Sequence, residues 1–187
     1  MACPVLSIEQ AVHALHDGGV IAYPTEAVFG LGCDPFDHDA VGRILELKGR
    51  PESSGLILIA DTFSALDDFA GQVENDELER VNESWPGPVT WLFPKSAICP
   101  GWISGAHDSV ALRVTGHAVC RQLCAAFGGA IVSTSANRSG EAPARAKEQV
   151  EVSFGAGIAG IVEGELGGLE SPSEIRDVRT GEVIRPG

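Results

Sequence analysis

The sequence predicts an α/β (α+β) domain, and three observations carry that reading. Short apolar runs of strand length recur from residue 20 to residue 162, apolar residues at helical spacing separate several of them, and glycine or proline marks the joins. With 187 residues, 44% of them apolar, the chain suits one compact domain with a sizeable core, spanning residues 1–187.

Taken in order, Ser7-Ile8-Glu9-Gln10 is a capping box that opens an amphipathic helix to about residue 17. Gly18-Gly19 ends it before a strand at 20–23, and a glycine-rich loop follows. Asp37 caps a second helix, in which Val41, Ile44, Leu45 and Leu47 share one face. That helix delivers Lys48 and Arg50 at or just after its C-terminus. A buried strand at 56–60 comes next, then helical patterns to Ser84, which Trp85-Pro86-Gly87-Pro88 breaks before a strand at 89–93. Residues 110–114, 130–132 and 158–162 read as strands, with a helix at 118–127 between the first two. A short hairpin of 175–177 and 183–185 around Thr180-Gly181 closes the fold.

The formal charge of -13 weighs against a nucleic-acid-binding surface, because such binding rests on clustered Lys and Arg neutralising phosphates. No apolar run reaches eighteen residues and the N-terminus has neither a basic start nor an apolar stretch, so a cytoplasmic protein without a membrane span is expected. Five cysteines, odd in number and without a Cys-x-x-Cys, argue against a disulfide framework or a structural zinc site; they read as small buried apolar residues. The five histidines are scattered, so a metal site built from protein ligands alone is not indicated. Gly155-Ala156-Gly157-Ile158-Ala159-Gly160 matches a dinucleotide fingerprint in letters only: a helical pattern precedes it and a strand follows, the reverse of what pyrophosphate binding requires.

Three polar segments stand out against this background. Lys48-Gly49-Arg50-Pro51 places two cations one residue apart in a chain with three lysines. They either clamp phosphates, Arg as a fork and Lys as a point charge, or form a solvated helix end favoured by the dipole. Ser133, Ser135 and Asn137 alternate after a strand; they either converge on a crevice at the strand's carboxyl end or serve a cap or tight turn. Arg113, ending another strand, fits a carboxylate or a surface ion pair equally. Thr25 and Ser173 fit either a ligand or a turn.

Read together, these segments resemble the YrdC/TsaC family, the threonylcarbamoyl-AMP synthases. The resemblance rests on Tyr23-Pro24-Thr25-Glu26 with Gly30-Leu31-Gly32, on Leu45-Glu46-Leu47-Lys48-Gly49-Arg50-Pro51, and on Trp85-Pro86-Gly87-Pro88-Val89-Thr90. It continues through Arg113-Val114-Thr115, residues 133–137, Ser173-Glu174-Ile175-Arg176-Asp177 and Arg185-Pro186-Gly187, so it runs through almost the whole chain. It implies a single-domain twisted mixed sheet flanked by helices, with an open concave groove that substrates enter without a large lid. The length is similar to the short bacterial form, which lacks the extra C-terminal domain of longer relatives.

The implied activity joins L-threonine, bicarbonate and ATP into threonylcarbamoyl-adenylate and pyrophosphate, the first stage of modifying the adenosine beside certain tRNA anticodons. By the resemblance, Lys48, Arg50, Ser135 and Asn137 form the catalytic set. Lys48, Arg50, Ser54, Ser135, Asn137 and Arg185 would hold ATP, and Thr25, Arg113, Ser133 and Ser173 would hold threonine. Mg2+ would accompany ATP, held by phosphates more than by protein. A separate tRNA threonylcarbamoyl transferase would consume the product. Three differences from the longer relatives stand out: Ala27 replaces a threonine, Ile59 a histidine, and Ser54-Gly55 an Asn-Pro pair. The competing expectation is a binding module that holds double-stranded RNA in the same groove and acts in ribosomal RNA maturation.

Overall fold

The computed structural model describes residues 3–187. Ten strands form one mixed sheet: β1 (Val5–Leu6), β2 (Ile21–Pro24), β3 (Phe29–Gly32), β4 (Ile57–Ala60), β5 (Thr90–Pro94), β6 (Ser109–Val114), β7 (Ile131–Ser135), β8 (Gly160–Val162), β9 (Ile175–Asp177) and β10 (Val183–Arg185). Six α-helices accompany them: α1 (Ile8–His16), α2 (His38–Lys48), α3 (Asn75–Asn82), α4 (Gly101–Ser104), α5 (Ala118–Phe127) and α6 (Lys147–Phe154). The strand order is β1-β8-β2-β3-β7-β4-β6-β5-β9-β10.

Alternation along the central strands splits the core into two layers, because successive side chains of a strand point to opposite faces. Ile21, Tyr23, Ile59 and Ile131 pack against Ala11, Val12 and Leu15 of α1 and Cys120, Leu123 and Cys124 of α5. Val20, Ala22, Leu31, Leu58 and Val132 face the other way, in the layer that holds Ala40, Val41, Ile44 and Leu45 of α2. Cys3, Cys33, Cys120 and Cys124 are buried and all five cysteines are free, with Cys99 half-buried.

The expected caps form. Ser7 accepts a hydrogen bond from the Gln10 amide while the Gln10 side chain accepts one from the Ser7 amide. Asp37 accepts from the Ala40 amide at 2.9 Å, opening α2. Gly49 ends α2 in the left-handed region at φ 60°, and the amides of Gly49 and Arg50 turn back to the Glu46 and Leu45 carbonyls. This cap swings Arg50 out of the helix while Lys48 stays within it.

The structure departs from the sequence reading in several places. The glycine-rich stretch after Tyr23 contains the strand β3, paired antiparallel with β2 from Ile21↔Gly32 to Pro24↔Phe29. Gly30 and Gly32 lack the side chains that mark a strand, which hid it. The strand expected at 130–132 continues to Ser135, so Ser133 and Ser135 lie within β7 and not after it. The helical patterns before Ser84 resolve into a 3-10 turn, Ser64–Leu66, and α3. Helix α6 ends at Phe154 and β8 begins at Gly160, so the glycines between them join helix to strand and open no helix.

Candidate active site

Strand ends and loops converge on one cavity of about 330 Å³. Its floor comes from the β2–β3 turn and β7; its walls come from the segment after α2, from α4, from β6 and from the β9–β10 hairpin. Eight of the ten residues expected at a site line it: Thr25, Arg50, Ser54, Arg113, Ser133, Ser135, Ser173 and Arg185. Lys48 and Asn137 do not. Both bond to Ser135, which does: Lys48 Nζ donates to its carbonyl and Asn137 Oδ1 accepts from its hydroxyl.

Lys48 is 3% exposed, so the solvated helix end is excluded for it. Its Nζ donates to the Ser135 carbonyl, to the Asn137 carbonyl at 2.8 Å and to Asn137 Oδ1 at 3.4 Å. Burial first, and the Arg50 charge second, lower its pKa from 10.5 to about 8. Asn137 is equally committed: its Oδ1 accepts from Ser135 Oγ at 2.6 Å, and its Nδ2 donates to the Arg138 and Glu141 carbonyls.

Arg50 donates to the carbonyls of Ser54 (3.2 Å) and Gly55 (2.9 Å), which fixes the loop before β4, while its Nε is buried without a partner. Arg185 donates to the Ser173 carbonyl at 2.7 Å. Partial burial, then the charges of Arg113 and Arg50, lower the Arg185 pKa, so the three guanidinium groups share one electrostatic field. Arg113 is buried, and its Nη2 lies 3.4 Å from Glu26 Oε2; the surface ion pair considered for it is instead an interior one. Thr115 Oγ1 donates to the other Glu26 oxygen at 2.7 Å. Burial alone would raise the Glu26 carboxyl, but Arg113 and the Thr115 hydroxyl outweigh it and hold the group below its ordinary 4.5. Thr25 closes its turn by donating to the Val28 carbonyl at 2.7 Å, and Ser173 meets Thr90 at 3.2 Å, so both serve the turn and line the cavity at once.

Two of the three differences from longer relatives fall on the cavity: Ala27, and the pair Ser54-Gly55, line it. Ile59 pairs with Arg113 across β4 and β6, is fully buried in the layer under α5, and does not line the cavity. Sequence reasoning gave no role to Glu26, His107 or Ser109, which also line it. Glu26 was visible within its motif; His107 and Ser109 carried no signal, His107 because it enters from the irregular chain after α4 and Ser109 because it only begins β6. Of the segment 163–174, between β8 and β9, only Ser173 and Glu174 had been singled out. Its Gly167 and Leu169 amides donate to the Thr25 and Glu26 carbonyls at 3.0 Å, and Arg145 donates to the Leu169 and Glu170 carbonyls.

Three arginines and one glutamate in the lining, inside a chain of charge -13, define a site for a polar substrate carrying anionic groups. A family model described as Sua5/YciO/YrdC, telomere recombination, matches residues 13–187, and the chain belongs to that family. The chain is 52% identical over 178 residues to a threonylcarbamoyl-AMP synthase of Halorhodospira halophila, covering 95% of this chain and 93% of that protein. It is 49% identical to the Cellvibrio japonicus protein of the same name, covering 96% and 95%. Among solved structures it is similar to P. abyssi Sua5 complexed with L-threonine, with 32% identity and a TM-score of 0.90, covering 96% of this chain. It spans 54% of that Sua5 chain, about half its length. E. coli YciO follows at 25% identity and a TM-score of 0.86, covering 96% of this chain and 88% of that one. The mixed sheet flanked by helices is the fold expected from the sequence. No helix among the described residues is long and apolar enough to cross a membrane.

Proposed function

We propose that this protein is a threonylcarbamoyl-AMP synthase, which forms threonylcarbamoyl-adenylate and pyrophosphate from L-threonine, bicarbonate and ATP. The observation that carries the proposal is that one 330 Å³ cavity holds both a buried, acid-paired Arg113 and two arginines, Arg50 and Arg185, in no ion pair among the described residues. Relatives of that name, at about half identity over nearly the whole chain, support it.

In this reading Arg113 meets the threonine carboxylate, with Thr25, Ser133 and Ser173 around the rest of the amino acid. The threonine amine and bicarbonate give N-carboxythreonine with loss of water. A carbamate oxygen then attacks the α-phosphorus of ATP; a new O–P bond forms as the bond to the β-phosphate oxygen breaks, and pyrophosphate leaves. Arg50 and Arg185 offset the charge that builds on the phosphates, where fixed donors in a partly enclosed site act most strongly. No side-chain nucleophile is required. Ser135 reaches the phosphates from the cavity wall, and Lys48 and Asn137 hold Ser135 in place. The residues lining the cavity do not fit a protein cage for Mg2+, because the one acid among them, Glu26, is committed to Arg113 and Thr115. The ion would come with the phosphates of ATP, and no step is assigned to it.

The product would pass to a separate tRNA threonylcarbamoyl transferase. RNA contact has weaker support: the clustered arginines line a cavity sized for small molecules, and the chain's overall charge repels phosphate chains. The test is pyrophosphate release from ATP by the purified protein, omitting threonine and bicarbonate in turn. Dependence on both, abolished in Arg50→Ala, is the expected result. Release indifferent to threonine, or none from folded protein with magnesium present, would overturn the proposal.

A further inference from the structure

The cavity's charges are unevenly compensated. Glu26 is the one acid in the lining, and its Oε2 forms an ion pair with Arg113 at 3.4 Å without a hydrogen bond, while Thr115 fixes its second oxygen. Arg50 and Arg185 meet only backbone carbonyls, those of Ser54, Gly55 and Ser173. Glu26 also cannot drift. Its carbonyl accepts from the Leu169 amide, and a side chain at Gly167 would come within 2.9 Å of the Glu26 Cα. A buried pair of this kind seldom adds stability over an apolar replacement.

We propose that Glu26 is a specificity-determining residue that divides the cavity electrically. By neutralising Arg113 it leaves the amino-acid side suited to a zwitterion and closed to phosphate, so that polyanions settle only at Arg50 and Arg185. An α-amino acid brings no net charge to a neutral pair, whereas a phosphate group beside Glu26 meets like charge in a poorly solvated place. Without Glu26, Arg113 becomes a third free cation in the same field as the other two, and pyrophosphate or the ATP tail can occupy the amino-acid side. This inference rests on reading Arg113 as the contact to the substrate carboxylate.

The experiment measures L-threonine binding by calorimetry at rising pyrophosphate, with wild type, Glu26→Gln and Glu26→Asp, and with ATP binding as the check of an intact fold. In wild type and Glu26→Asp, pyrophosphate displaces ATP and leaves threonine affinity unchanged. In Glu26→Gln, threonine affinity falls about tenfold for each tenfold of pyrophosphate beyond its own dissociation constant, as simple competition requires. If Glu26→Gln binds threonine weakly but remains insensitive to pyrophosphate, Glu26 is only a strut for Arg113 and the inference fails. The same holds if Glu26→Gln behaves as wild type, or if pyrophosphate already competes with threonine in wild type. A second measurement needs no variant: wild type should bind threonine at least about tenfold tighter than 2,3-dihydroxybutanoate, which keeps the carboxylate and lacks the ammonium. Equal binding of that anion overturns the inference. Wild type that binds ATP but no threonine instead overturns the functional reading beneath it.

Discussion

Lys48 Nζ donates to the Asn137 carbonyl oxygen at 2.8 Å across 89 residues of sequence, and its other two bonds go to the Asn137 side chain and the Ser135 carbonyl. All three ammonium protons are therefore used to hold the end of β7 and the turn that follows it. The cation most conspicuous in the sequence is spent on protein acceptors, and Arg50, two residues on, is the one that lines the cavity.

This arrangement gives two pH dependences of opposite sign. Because the folded pKa of Lys48, about 8, lies below its ordinary 10.5, the unfolded chain binds more protons between those values. This group's contribution to stability therefore rises as pH increases through that window. Activity should fall over the same range, since a neutral amine has two protons for three acceptors. Pyrophosphate release and urea midpoints from pH 7 to 10 would check both directions, and a lysine 15N resonance titrating near 8 and absent in Lys48→Arg would assign them. Activity flat to pH 10 would show that the clamp does not need its charge.

Arg50 and Arg113 should separate in steady-state kinetics. Arg50→Ala should raise KM for ATP and lower kcat, and Arg113→Ala should raise KM for threonine, each by about 10- to 100-fold for the loss of charge-assisted bonds. Arg113→Ala carries a second effect that Arg50→Ala lacks. It strands the Glu26 carboxylate in the interior and should cost about 3–5 kcal/mol in urea unfolding. The Glu26 carboxyl is held below 4.5, so the stability it brings is present above that value and is lost as pH falls beneath it. Glu26→Gln should flatten that acid limb. A variant with unchanged acid unfolding would show that the pair contributes nothing to it.

Arg145 fastens the segment that carries Ser173 to the cavity, through two bonds of 2.8 and 3.0 Å to the Glu170 and Leu169 carbonyls. The residue is exposed and does not line the cavity, so Arg145→Ala should leave global stability within about 0.5 kcal/mol. Amide exchange across residues 163–174 should quicken, and KM for threonine should rise a few-fold. Unchanged exchange there would mean that the Gly167 and Leu169 amide bonds hold the segment alone.

The legible parts of this protein were those with a strong local cause. Ser7 and Asp37 announced their helices through caps, and Ile21, Leu58 and Leu112 announced their strands by sitting in apolar runs buried on both faces. Residues that share the cavity were legible as separate motifs, since Arg50, Arg113 and Ser133 each end or follow a recognisable element. Their pairing was not. Whether Arg113 meets a ligand or an acid depends on β4 pairing with β6 on one side and β7 on the other and on the β2–β3 turn placing Glu26 there, and those are long-range registers. The burial of Lys48 was hidden for the same reason: its acceptors are backbone carbonyls of residues 135 and 137, which have no side-chain signature.

The missed strand β3 provides the last prediction. Gly32 reads as loop, yet it sits in β3 because the space for a side chain is already filled: a Cβ there would lie 2.4 Å from the Val132 carbonyl oxygen and 2.7 Å from Tyr23 Cε1. The Tyr23 ring covers Gly32, and its hydroxyl donates to the Val132 carbonyl at 3.0 Å, so one tyrosine ties β2 to β7 over a bare glycine. Tyr23→Phe removes only the hydroxyl and should cost about 1 kcal/mol. Gly32→Ala pushes a methyl into a carbonyl that belongs to β7 and cannot swing away, and should cost about 1–3 kcal/mol or more. Neither residue lines the cavity, so kcat and both KM values of the folded fraction should match wild type. Urea midpoints that fall in the order wild type, Tyr23→Phe, Gly32→Ala at constant m would bear this out. An equally stable Gly32→Ala would mean that the sheet has slack at β3.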